Sequence, residues 1–150
     1  MGCKNCAKEK GYHSFEFLGR TKSDDAIYYS NISKAKEHRL NEETIVDFIA
    51  HMDEASITSW IWIFDCRGLE AIHMPSMKIL REFTQLIQER YKFVLKHIYI
   101  VYPNWKMNIM LSMVQPFLKD ETRRRLVVCE SALQFFQSGV NHEQVKILLK

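Results

Sequence analysis

Four stretches of the chain are apolar enough to be strands, and they alternate with stretches whose apolar residues recur at helical spacing. Residues 26–33 (AIYYSNIS) are rich in β-branched and aromatic side chains. Residues 59–65 (SWIWIFD), 96–102 (KHIYIVY) and 125–129 (RLVVC) are shorter or more continuously apolar. Continuous apolar runs suit strands covered on both faces, as in a parallel sheet. Trp60 and Trp62 alternate with Ile61 and Ile63, so that strand packs on two sides rather than offering a stacking platform for bases.

Between these runs the period changes. From Asn41, a candidate N-cap, Ile45, Phe48, Ile49 and Met52 recur at i, i+3, i+4 and i+7. A second helix starts with Pro75 in its first turn. Lys78, Glu82, Gln85, Glu89 and Lys92 form its polar face, and Ile79, Leu80, Phe83, Leu86 and Ile87 its apolar one. Strand and helix alternating four times predicts a single α/β sandwich with right-handed crossovers. Residues 1–11 (MGCKNCAKEKG) show no apolar period and are expected to be a flexible tail, with the folded domain at 12–150.

Residues 104–118 behave differently. Asn108, Ser112 and Gln115 make the one clean polar stripe. Trp105, Met107, Ile109, Met110, Leu111, Met113, Val114, Phe117 and Leu118 occupy nearly everything else. A helix apolar around most of its circumference is either central to a two-layer core or covers something apolar that is not the protein's own interior. Its three methionines supply an adaptable surface.

Composition narrows the function classes mainly by exclusion. The chain has 150 residues, 47% of them hydrophobic, and a net charge of +3 from 21 basic and 18 acidic residues. That balance is too mild to point to nucleic acid. No apolar run approaches the roughly 20 residues of a membrane-spanning helix, so a soluble, cytoplasmic domain is expected. The five glycines fit neither a dinucleotide nor a P-loop fingerprint, and G-x-S-x-G is absent, so no enzyme is expected. Cys66 in Asp-Cys-Arg-Gly reads as a structural cysteine. His13, His38, His51, His73, His97 and His142 are scattered without a metal-binding pair.

The first residues carry two further readings. Gly2 could take myristate and Cys3 palmitate, placing the domain peripherally on a cytoplasmic membrane face with help from Lys4, Lys8 and Lys10. The acylation motif wants serine or threonine where Cys6 stands. Alternatively, Cys3 and Cys6 form half a zinc site with His13 as third ligand. Four ligands are required and no second pair lies nearby in the chain, so no metal and no cofactor are expected.

The order of motifs resembles the CRAL-TRIO domain. The resemblance rests on residues 61–69 (IWIFDCRGL), 90–105 (RYKFVLKHIYIVYPNW), 114–129 (VQPFLKDETRRRLVVC) and 141–150 (NHEQVKILLK). Within them are a strand ending in Asp-x-x-Gly (Asp65, Gly68), a strand ending at Pro103 and Trp105, and Pro116-Phe117-Leu118 followed by Thr122 and Arg125. The resemblance implies a mixed, mainly parallel sheet with helices packed on it and a gate helix over one lipid. By that analogy Trp105, Ile109, Met110, Met113 and Phe117 line the lipid site, Thr122 and Arg125 meet the head group, and Arg123 and Arg124 extend a phosphate patch for a phosphoinositide. A lipid carrier should enclose a cavity of several hundred cubic ångströms lined by Trp105, Met110 and Met113.

Two departures, the shorter IVYP turn and RYK in place of a Tyr-Pro pair, resemble the divergent BCH-type branch found in Rho GTPase-activating proteins. No helical module of the kind that precedes lipid-transfer members stands before the first strand. That branch implies an alternative: an adaptor with a filled interior that binds small GTPases, their regulators or a second copy.

Overall fold

The computed structural model describes residues 2–150. A five-stranded sheet forms in the order β1 (Glu16–Arg20), β2 (Ala26–Ser30), β3 (Trp60–Asp65), β4 (Leu95–Val101) and β5 (Leu126–Cys129). β1 runs antiparallel to β2, and all other neighbours are parallel. The mixed, mainly parallel sheet is therefore present. Its helices are α1 (Lys4–Lys8), α2 (Ile45–Ala55), α3 (Met77–Arg90), α4 (Trp105–Val114), α5 (Asp120–Arg125), α6 (Ala132–Phe136) and α7 (Glu143–Leu148).

Strand order dictates which face each helix covers. β2 to β5 are laid down in one direction, so crossovers of one hand put every connecting helix on the same side. Phe48 and Met52 of α2, Phe83 of α3 and Met107 of α4 accordingly share a cluster with Trp60, Trp62 and Ile100. The opposite face is left to the segments after β5. Phe135 of α6 and Val145 and Leu149 in and beside α7 bury Ile27, Ile61, Ile63, Tyr99 and Val101 there. Alternation along β3 does the sorting, with tryptophans on one face and isoleucines on the other.

The end of β3 is tied to the C-terminus. Asp65 is fully buried and accepts hydrogen bonds from the Tyr29 hydroxyl at 2.6 Å and from the Arg67 guanidinium at 2.7 Å. Arg67 also donates to the carbonyls of Leu148 and Lys150. Burial pushes the neighbouring Cys66 thiol up to about 12, so it is held protonated. Gly68, at φ +81°, closes the loop where any side chain would meet Ser33.

Three expectations are corrected. β1, which the sequence pattern does not reveal, adds an antiparallel edge. Helix α3 is capped by Ser76, whose hydroxyl accepts from the Ile79 amide, so Pro75 lies just outside it. Residues 2–11 do not trail away. Lys4–Lys8 is helical, Cys3 is buried, and Asn5 donates to Asp47 on α2 at 3.1 Å. Contacts that hold this segment onto α2 come from residues more than forty positions away, which local periodicity does not register.

Candidate ligand cavity under a tethered helix

Helix α4 is fastened at its two ends. β4 passes into it through Tyr102, Pro103 and Asn104. Tyr102 has φ +55°, a left-handed conformation that costs a non-glycine residue on the order of 1–3 kcal/mol. It is held there by its amide to the Cys129 carbonyl at 3.0 Å, its hydroxyl to the Leu149 carbonyl, and the Arg67 guanidinium over its ring. Asn104 then caps the helix, accepting from the Met107 amide at 3.0 Å while its own amide donates to the Leu69 carbonyl at 3.0 Å. Past the other end, after a 3-10 turn at Gln115–Phe117, the buried Gln88 of α3 donates to the Phe117 carbonyl at 3.0 Å and accepts from the Lys119 amide at 2.6 Å.

Between these tethers the helix roofs an apolar cavity of about 170 Å³. Trp62, Phe64, Ile98 and Ile100 form the sheet floor. Phe48 of α2 and Phe83 and Ile87 of α3 line it from the neighbouring helices, and Met107, Met110, Leu111 and Val114 line it from the roof. The volume is comparable with apolar cavities of ~150 Å³ that stay dry and take up a benzene-sized guest. It is below the ~300–1,000 Å³ typical of small-molecule pockets. A hollow of this volume has room for a short apolar segment.

The polar side chains in the lining are few: His38, His73, Thr84 and Thr122. Thr84 spends its hydroxyl on the Leu80 carbonyl at 2.8 Å. The His38 and His73 rings meet edge to face with centroids 4.9 Å apart. Burial and the adjacent His38 lower the His73 pKa, favouring the neutral ring. His38 Nδ1 is buried without a hydrogen-bond partner among the described residues, which makes it a candidate contact for a polar group of a guest.

The roof is rotated relative to the sequence expectation. Of the residues assigned to the lipid site, Met110 and Thr122 line the cavity. Trp105, Ile109, Met113 and Phe117 lie on the outer face, and Trp105 is 66% exposed. The inward stripe is instead Met107, Met110, Leu111, Val114 and Leu118. Placing the polar stripe opposite the core would turn Met113 inward. The structure leaves Asn108 and Ser112 beside an exposed apolar strip, because Asn104 and Leu118 fix the rotation.

Arg125 is not in the main lining. It borders a smaller hollow with Tyr91, Lys92, Leu95 and Thr122, and Ile87, Ile98 and Thr122 are common to both hollows. Its guanidinium donates to the Lys92 carbonyl and to Glu121 at 2.7 Å. Arg123 donates to the Gln115 carbonyl at 2.8 Å and faces Asp120, while Arg124 is exposed. Helix α5, acidic in its first turn and basic in its last, therefore also uses these arginines to complement its own dipole. Of the acylation candidates, Cys3 is buried against His13. Gly2, at φ +55°, stands where a side chain would run into the Glu54 carboxylate.

The architecture is a mainly parallel sheet with a helix tethered over an apolar hollow. Residues 10–148 match the CRAL/TRIO domain, and the chain belongs to that family of lipid-binding domains. A relative is the Rho GTPase-activating protein 68F of Drosophila melanogaster, 24% identical over 127 residues, covering 84% of this chain and 27% of that protein. The crystal structure of Sfh5 shares the fold, with a TM-score of 0.64 and 18% sequence identity over 91% of this chain and 52% of that one. The chain thus spans about a quarter of the first and half of the second. Among the described residues no helix is long and apolar enough to cross a membrane.

Proposed function

We propose that the chain is a non-enzymatic lipid-binding domain that holds one apolar chain in the hollow beneath α4. The observation that carries this reading is the nearly unbroken apolar lining between the sheet and a helix tied down at both ends. Each methylene moved there from water contributes about 0.8 kcal/mol. Release of Gln88 or Asn104 from the carbonyls they hold would let the roof rise and lengthen the site. The head of the lipid would sit by Thr122, Lys92 and Arg125, where the small hollow adjoins the large one. A phosphate there must draw Arg125 away from Glu121 and the Lys92 carbonyl. The exposed strip of Trp105, Ile109, Met113 and Phe117 would rest on the cytoplasmic face of a membrane during loading, an environment that suits tryptophan.

The test is native mass spectrometry of the chain purified from cells. One co-purified lipid per chain is expected. Arg125→Glu should abolish binding of a phosphoinositide while sparing lipids without a phosphorylated head; equal binding of both by the variant removes the head-group role.

A second reading is favoured by the relationship to a Rho GTPase-activating protein and by the same exposed strip on α4. In it the domain is an adaptor, docking a small GTPase or its regulator through Trp105 and Met113. Lipid-free protein from cells, together with a GTPase complex lost on Trp105→Ser, would establish that reading instead.

A further inference from the structure

Cys3, Cys6, His13 and His51 meet at one point although they come from three separate parts of the chain. Cys3 precedes α1, Cys6 lies within it, His13 sits in the loop before β1, and His51 projects from the middle of α2. One ligand atom from each lies within 4.8 Å of all the others. His13 Nδ1 is 3.4 Å from both Cys3 Sγ and Cys6 Sγ, and His51 Nε2 is 3.4 Å from Cys6 Sγ.

The three separations of 3.4 Å are those of ligands on a coordination polyhedron, and the remaining ones lie within 4.8 Å. Zinc–sulfur bonds of about 2.3 Å and zinc–nitrogen bonds of about 2.0–2.1 Å place tetrahedral ligands about 3.3–3.8 Å apart along each edge. Three of the four groups are buried and Cys6 is half-buried, so the set is screened from water.

The surroundings are also those of a metal centre. The His13 amide donates to Cys6 Sγ from 3.3 Å, fixing the sulfur's position. The far nitrogen of His13, Nε2, is buried without a hydrogen-bond partner among the described residues. Asp47 Oδ2 stands 3.7 Å from it, itself held by Asn5 at 3.1 Å. A carboxylate behind a histidine whose other nitrogen faces the ligand set is the usual outer support of a zinc ligand.

We propose that these four side chains form a structural Cys2His2 zinc site that clamps the α1 segment onto α2. The mixed nitrogen and sulfur donors suit zinc over harder cations, and four protein ligands leave no open position for catalysis. The site adjoins the ligand cavity, because Phe48 lines that cavity while its ring lies 5.5 Å from the ring of His13. A zinc-bound Cys3 is unavailable for palmitate, so metal loading and acylation at Cys3 exclude each other.

The full chain, kept reduced, is freed of metal and titrated with Zn²⁺ and separately with Co²⁺. One zinc per chain after buffer exchange is expected, with the intense visible bands and thiolate charge-transfer absorption of tetrahedral Co(II). Zinc should raise the melting temperature of the wild-type chain, and a chelator should reverse this. Cys6→Ser and His51→Gln should lose the tetrahedral spectrum. Asp47→Asn should keep one metal per chain at roughly 10–100-fold weaker affinity. Wild-type protein that remains metal-free with its thiols reduced overturns the proposal, whether or not any variant folds. So does His51→Gln binding zinc as tightly as wild type.

Discussion

The two faces of the sheet are covered by opposite strategies. On the face of Ile61 and Ile63 two short helices suffice, because Phe135, Val145 and Leu149 reach essentially zero exposure against a floor of equally buried residues. On the face of Trp62 and Phe64 three longer helices enclose larger side chains yet leave a hollow. A face packed throughout can fix its helices through their middles. The roof over the hollow packs only along its inner stripe, through Met107, Met110 and Val114, and is also hydrogen-bonded at its ends, here by Asn104 and Gln88.

That contrast ranks the expected effects of substitutions. The largest belong to the filled face: Phe135→Ala should lower stability by about 3–5 kcal/mol in chemical denaturation, since nothing can collapse into the space. A loss below about 1 kcal/mol would mean that this face is not packed as described. Gln88→Ala removes two hydrogen bonds and should remove roughly 1–3 kcal/mol. Amide exchange should then quicken around Phe117 and Lys119 without quickening in α6; unchanged exchange would show that the tether does not hold the roof. Leu111→Phe points extra volume into the hollow and should change stability by less than about 1.5 kcal/mol. The same change should reduce lipid uptake, and undiminished uptake would place the guest elsewhere. Trp105→Ser, on the outer strip, should shift stability by no more than about 0.5 kcal/mol. Its effect belongs in vesicle co-sedimentation, where binding should fall; equal sedimentation would detach the strip from membranes.

What was legible in the sequence follows the same physics. Strands β2 to β5 announce themselves by continuous apolar runs, and Asn104 and Pro103 mark the start of the roof. Strand β1 does not, because Glu16–Arg20 is an edge with mostly exposed residues and a break in register between Phe17 and Gly19. The roof's existence is readable but its rotation is not, because a helix greasy on nearly all sides does not say which side faces in. One signal was available: Met107, Leu111, Val114 and Leu118 form a stripe at helical spacing that excludes Trp105. His38 and His73 join the lining through loops, with no spacing to betray them. Cys3, Cys6 and His13 are visible as a partial ligand set, but His51 is 45 positions beyond Cys6 and only the fold brings it in.

The most direct measurement is tryptophan quenching by a lipid with a brominated acyl chain. Trp62 lies on the cavity floor and Trp105 on the outside of the roof. With the chain enclosed, quenching should persist in Trp105→Phe and fall sharply in Trp62→Phe. Quenching that vanishes in Trp105→Phe and survives in Trp62→Phe would put the acyl chain on the outer surface and contradict an enclosed guest.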